Sequence, residues 1–461
     1  MPRSSVSWLL IYAVSLACPL GASGQIKKDA VDQAPRERMS YLDNGIIRLG
    51  ADLNKGGAIT WLSKSAGDEN VVNSYDYGRQ IQMSYYSGPV PYVVGDKRPA
   101  EHWRHIGWNP IQTGDDFGHA SRVLEHRNDG STLYVKCVPM QWPLDDVPGE
   151  CTFECWITLD GAAAQVRSRL NNARTDKTQY PARRQELPAV YVNGPYHRLM
   201  AYTGDQPFTG GALTHIVKPA GEPGPWTHWN SAENWSALVR DDDWGLGVWH
   251  PGCFSFGGGF AGPPGKGGPH DVPTGYISPG YVEVIDWNIR HEYRYALILG
   301  TLEEIRQYVY RHPRPRSTPD FHFQRERQHW HFVNARDAGW PLQGEWRVTL
   351  DGDDPQLISP DGFWQAADAP TLYLRAAYRG RGQRAELFWK TFAEPGFSER
   401  NSLKFEIEGD GEYHTYAIPL ASASGYRGAI TALRLDPAPA GGEGDFIAIR
   451  SITSAAPADA K

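Results

Sequence analysis

The chain has 461 residues, so two domains are expected, at roughly 100–200 residues each or somewhat more for all-β domains. Its charge is mild, 46 Lys and Arg against 53 Asp and Glu, and no basic stripe points to nucleic acid. With 17 Trp, 23 Tyr, frequent Gly and Pro and almost no long helical periodicity, the composition predicts an all-β protein rich in turns.

Residues 1–24 read as a cleaved secretory signal. Arg3 supplies the positive end, Trp8 to Leu16 the apolar run, and Ala22-Ser23-Gly24 the small-residue cleavage site. The apolar run is too short to span a bilayer comfortably. The Ser-Leu-Ala before Cys18 is a poor lipoprotein signal. A secreted or periplasmic protein without a membrane span is expected.

Asn44 to Ser63 predicts two short strands around the turn Asn54-Lys55-Gly56-Gly57. From Arg79 to Tyr86 the chain alternates. Ile81, Met83 and Tyr85 fall on one side, and Gln80, Gln82, Ser84 and Tyr86 on the other. Amides donate and accept hydrogen bonds as sugar hydroxyls do. The polar side, with Asp76 and Arg79 just before it, is therefore read as the floor of a glycan cleft; the alternative is an ordinary solvated strand face. Glu101 to Phe117 is a loop carrying Trp103, Trp108, Gln112, Asp115 and Asp116.

Leu133–Trp142 and Cys151–Leu159 predict a hairpin with Cys137 nearly opposite Cys155. Cys151 and Cys155 lie about 13 Å apart along one strand, at ~3.3 Å per residue, and cannot pair. Buried thiols or a Cys137–Cys155 bridge remain. Without a second close cysteine pair, no zinc site is expected. Glu186 stands at a strand entrance just before Pro188. Trp235–Val239 and Leu246–Trp249 predict a second hairpin. Phe256–Gly275, rich in Gly and Pro, reads as a loop, and Tyr281–Gly300 as strand. Thr301 with Glu304 forms a capping box that opens a helix ending before Pro313. Residues 313–319 form a Pro-rich linker. Strand candidates then run from Thr371–Tyr378 to Phe446–Ile452, and 454–461 is expected to be disordered.

Two resemblances organise these elements. Gly411–Tyr416, Tyr426–Pro437 and Phe446–Ile452 resemble the jelly-roll modules attached to many secreted carbohydrate-active enzymes. The first two-thirds, with its many strands, early Gly78-Arg79 stretch and polar aromatic loops, is similar in pattern to the galactose-mutarotase-like supersandwich of several glycoside hydrolase and polysaccharide lyase families. The expected fold is thus all-β: a β-supersandwich domain over 25–312, then a smaller β-jelly-roll domain over 320–453. Fold analogy alone does not assign chemistry.

The chemistry is sought in paired carboxylates, because glycoside hydrolysis usually uses two. Glu186, beside an apolar Leu-Pro-Ala run, and Glu233, beside Asn234 and Trp235, are the catalytic candidates. Each is also the kind of carboxylate that serves structure alone. Asp76 and Asp115 are next in line. Asp76, Arg79, Gln80, Gln82, Tyr86, Trp108, Gln112, Tyr191, His197 and Trp235 are the candidate substrate contacts. The expected function is an exported glycoside hydrolase acting on a polysaccharide or oligosaccharide, with no cofactor and no metal. One alternative is a polysaccharide lyase, with a Tyr or His base (Tyr85, Tyr86, Tyr191, His105 or His197) and a cation beside a uronate. The other is a non-catalytic glycan-binding protein.

Overall fold

The computed structural model describes residues 38–313 and 318–456. The expected signal segment, positions 314–317 of the linker and positions 457–461 of the tail lie outside the described residues.

Two sheets stack to form the first sandwich. One has ten strands and runs Met39–Asp43, Ile47–Asp52, Ala58–Lys64, Ile81–Ser84, Glu186–Asn193, Thr274–Pro279, Ser255–Ala261, Thr227–Asn230, with Pro110–Ile111 and Met140–Gln141 joined at its side. The other has nine strands, with Arg290–Thr301 paired between Trp244–Trp249 and Ala163–Asn172. Alternation decides which side chains meet between them. Ile81, Met83, Tyr85, Val190, Val192 and Ile277 from the first sheet pack on Phe153, Ile157, Val166, Leu238, Leu297 and Leu299 from the second. Each such residue contributes about 1.5–3 kcal/mol of apolar burial.

The second sheet has a cover on its outer side. Trp235, Ala237, Val239, Ala296 and Ile298 pack there against Ile305, Tyr308 and Val309 of the helix Leu302–Arg311. That helix begins as its sequence predicts. The Thr301 side chain accepts from the Glu304 amide, and Glu304 accepts from the Thr301 amide at 2.8 Å.

Residues 320–453 form a second sandwich of two six-stranded sheets. Phe323, Trp330, Trp346, Tyr378 and Trp389 fill its core. The strands expected at Thr371–Tyr378 and Phe446–Ile452 are present within a few residues, at Leu372–Arg379 and Phe446–Thr453. The two sandwiches are tied by Arg327, which is 5% exposed. Its guanidinium donates to Asp286 of the first sandwich at 2.6 Å and to Asp337 of the second at 2.6 and 2.7 Å.

Two expectations need correction. Ser255–Ala261 is a strand rather than loop, paired on both sides, with Gly257, Gly258 and Gly259 at its centre. Glycine runs weaken isolated strands, but here flanking strands hold both edges, and only Gly fits: a Cβ on Gly258 would lie 2.0 Å from the Tyr276 carbonyl oxygen. In the first hairpin Cys137 stands opposite Phe153, while Cys155 stands opposite Val135. Cys137, Cys151, Cys155 and Cys253 are all free buried thiols.

Candidate active face on the first sheet

The outer face of the ten-stranded sheet gathers the polar chemistry. On Ile81–Ser84 the alternation sends Ile81 and Met83 inward, leaving Gln82 and Ser84 outward, with Tyr86 following. Glu186 pairs opposite Ser84, at a register shift before Ala189. Beyond that shift Ala189 and Tyr191 also face outward, where they join Trp226 and Tyr276 in an aromatic group separate from the core.

Within this group Tyr276 lies on Tyr191 with ring centroids 4.6 Å apart, and on Trp226 at 5.0 Å. That packing fixes the Tyr276 ring and brings its hydroxyl to donate to Glu186 Oε1. Burial lifts the Tyr276 pKa well above its ordinary value, helped by the neighbouring Glu186, so it remains a neutral donor. Burial also raises the Glu186 pKa; hydrogen bonds from Tyr276, Ser84 and Tyr86 and the charge of Arg184 oppose that rise without cancelling it. Glu186 is half-buried as a residue. A carboxyl biased toward its protonated form is suited to giving a proton away.

Arg184 and His228 border the same face. Arg184 donates to Ser255 Oγ at 2.9 Å and to the Ser255 carbonyl at 3.2 Å. His228 stands directly across from Gly257. A Cβ at Gly257 would approach the His228 ring at 3.2 Å and Arg184 at 3.8 Å, so glycine makes the room they occupy. Desolvation, together with the Arg184 charge, lowers the His228 pKa to about 4, leaving a neutral imidazole at neutral pH. As a residue it is nonetheless exposed.

Gln80 and Gln82 are on the predicted side but do not line open space; they are buried. Gln80 Nε2 donates to the Asp76 carbonyl at 2.5 Å and Gln82 Nε2 to the Tyr77 carbonyl at 3.2 Å. Gln82 Oε1 accepts from both the amide and hydroxyl of Thr113. The two amides thus pin neighbouring loops over the strand, and substrate binding is not their task. Asp76 and Arg79 lie in the pinned loop, 3.2 Å apart. Arg79 also donates to the Val272 carbonyl at 2.7 Å. Burial raises the Asp76 pKa against the opposing charge of Arg79.

The expected catalytic pair is not a pair. Glu233 is fully buried on the helix-covered outer side of the second sheet. It accepts from Arg306 at 2.8 and 3.1 Å, Tyr310 at 2.6 Å, Trp235 at 3.0 Å and the Phe208 amide at 2.9 Å. Glu186 faces outward from the other sheet. Stacked sheets are about 10 Å apart, so the whole core separates the two carboxyls and they cannot flank one glycosidic bond.

Trp235 belongs with Glu233, and Trp108 lies fully inside the core. Gln112 braces the Met83 amide at 3.1 Å and the Gly56 carbonyl at 3.2 Å. Asp115 is buried, accepting from the Phe117, His119 and Asp146 amides. His197 contacts Asp241 at 3.4 Å and the Pro195 carbonyl at 3.0 Å. Of the sequence-derived candidates, Glu186, Tyr86 and Tyr191 meet on one face, with Asp76 and Arg79 in the loop at its Gln80–Gln82 end. Arg184, His228, Trp226 and Tyr276 complete the face. Arg184 directly precedes Gln185-Glu186, and that adjacency was its one available signal.

A second concentration of titratable groups lies in a cavity of about 910 Å³ between the sandwiches, lined by Tyr281, Glu283, His291, Arg327, His329 and Trp340 among others. Glu283 is buried there against His291 and His329.

No protein-family model matches the sequence, and no curated protein matches it. Several solved structures show similarity over part of the chain. A galactose mutarotase-like protein from Lactobacillus casei is 11% identical, covering 57% of this chain and 100% of its own, with a TM-score of 0.35. A galactose mutarotase related enzyme from Lactobacillus acidophilus is 10% identical, covering 57% and 97%, with a TM-score of 0.33. A 4-alpha-glucanotransferase from Thermococcus litoralis is 9% identical, covering 58% and 42%, with a TM-score of 0.31. At these identities and scores, nothing about chemistry passes from those proteins to this one.

Proposed function

We propose that the protein is an exported carbohydrate-active enzyme that hydrolyses a glycosidic bond, with Glu186 as the general acid. The observation that carries this reading is the Glu186 carboxyl itself. It is held toward its protonated form by burial and oriented by Tyr276, on a face walled by Tyr191 and Trp226. Sugar rings present apolar faces to aromatic side chains and hydroxyls to polar ones, and this face offers both. With Oε1 engaged by Tyr276, the other carboxyl oxygen carries the proton to the leaving-group oxygen. Hydrolysis also needs a base or nucleophile, and Asp76, the carboxyl in the loop beside the Ile81–Ser84 strand, is the candidate whose replacement by Asn tests that role.

One arrangement favours a second reading, β-elimination from a uronate-containing glycan. Arg184 and the neutral His228 stand side by side at Gly257, a cation beside a base. Digestion of a glycan panel with product analysis separates the readings. New reducing ends without ultraviolet absorption support hydrolysis. An absorbing unsaturated product supports elimination. Binding with no turnover on any glycan would overturn both and leave a glycan-binding protein.

A further inference from the structure

Glu283, His291 and His329 line the cavity between the sandwiches. We infer that they form a binding site for a divalent transition-metal ion, with zinc as the first probe. One donor atom from each residue lies within 4.8 Å of the others. His291 Nε2 is 3.5 Å from Glu283 Oε1. In a tetrahedral site with metal–ligand bonds of about 2.0–2.2 Å, neighbouring donors stand about 3.3–3.6 Å apart. The residue types are two imidazoles and one carboxylate, a set suited to zinc and its first-row neighbours.

His291 is the residue that turns a carboxylate–imidazole pair into a set of three. Glu283 and His329 Nδ1 are hydrogen-bonded to each other, which accounts for two of the three groups. His291 is 7% exposed, and its Nε2 faces the same carboxylate at 3.5 Å, longer than a normal hydrogen bond. The other nitrogen, Nδ1, lies 3.0 Å from the Tyr85 hydroxyl. Ligating histidines are held in this way, with the second nitrogen engaged by an outer partner that fixes the ring.

The His329 ring is held by stacking on Tyr281, centroids 3.9 Å apart and planes 9° from parallel. Glu283 is placed by the short strand Val282–Glu283, paired with Arg183–Arg184. Three protein ligands leave a coordination position, and all three residues line the cavity between the sandwiches. The ion is therefore accessible to water or to a ligand oxygen from that cavity. It also links the sandwiches, since His329 comes from the second and the other two ligands from the first.

The test uses the full chain, stripped with chelator and titrated with Zn²⁺, then Co²⁺. The expected result is one ion per chain, a thermal midpoint that rises with metal concentration, and a Co²⁺ spectrum of mixed nitrogen and oxygen ligation. His329→Ala, at the cavity wall, is expected to abolish stoichiometric binding. Tyr85→Phe should weaken it about 10–100-fold by releasing the His291 ring. His414→Ala serves as a control, because Glu408, Asp410 and His414 form an exposed group of similar composition. Substoichiometric binding by the wild-type chain overturns the proposal, whatever the variants do. So does binding that survives His329→Ala or is lost with His414→Ala.

Discussion

Glu186 and Glu233 are the same residue type in opposite circumstances. Glu233 is saturated by two nitrogens of Arg306, two aromatic side chains and a backbone amide, while Glu186 meets hydroxyls. Replacing Glu186 by Gln should lower turnover about 10²–10⁴-fold with the fold intact, measured on the glycan that the panel identifies. Its pH dependence has a definite sign. The native pKa is above the ordinary value, so the proton is held more tightly in the folded state. Activity should fall as pH rises through that elevated pKa. The same ionisation opposes folding, and its penalty is absent below the unfolded pKa and complete above the folded one. Glu233→Ala should instead cost about 3–5 kcal/mol in denaturant melts, because it strands the buried Arg306 charge. The sequence could not separate these two glutamates. Both have apolar or aromatic neighbours, and the Arg306 that decides the matter lies 73 residues from Glu233.

At the scale of elements, pattern was most legible where alternation was clean. Ile81–Ser84, the Trp235–Val239 hairpin and the capped helix at Thr301 follow directly from side-chain periodicity and capping chemistry. The Gly257–Gly259 strand was illegible because its evidence lies in its neighbours. Thr227–Asn230 and Thr274–Pro279 supply the hydrogen bonds and side chains, and glycine supplies the clearance. The amide face of Gln80 and Gln82 was read correctly for side and wrongly for purpose. Alternation says which way a side chain points, but not whether a loop lies on top of it. Gly258→Ala should therefore be severe. Its Cβ would collide with the Tyr276 carbonyl at a φ of +150°, which L-residues rarely adopt. A loss of about 1–3 kcal/mol or more is expected, with increased amide exchange in Thr274–Pro279 as the local readout. Because Tyr276 orients Glu186, activity should fall further than the loss of folded protein explains.

For the whole molecule, Arg327 is the buried cation at the join between the sandwiches, where Gln179–Asp337 and Asn288–Trp340 hydrogen bonds also cross. Arg327→Ala would leave Asp286 and Asp337 facing each other without it, at a cost of about 3–5 kcal/mol. Docking should loosen before either core does. Limited proteolysis within 313–319 should then accelerate in the variant while the fragments remain resistant; an unchanged cleavage rate would show that other contacts hold the domains. The all-β character was legible from composition and turn density. The join was not, because Asp286 and Arg327 are 41 residues apart and belong to different strand patterns.

The Asp286–Arg327 contact also bears on how the chain is made. A ribosome delivers the first sandwich before the second, at about 5–20 residues per second, and domains generally fold in that order. Yet the segment carrying Glu283 and Asp286, which belongs to the first sandwich, finds its partners in Arg327 and His329, which are synthesised later. The nascent chain therefore passes through an interval in which Glu283 and Asp286 stand in water at the rim of the first sandwich, and they are desolvated only when Arg327 and His329 arrive to pair with them.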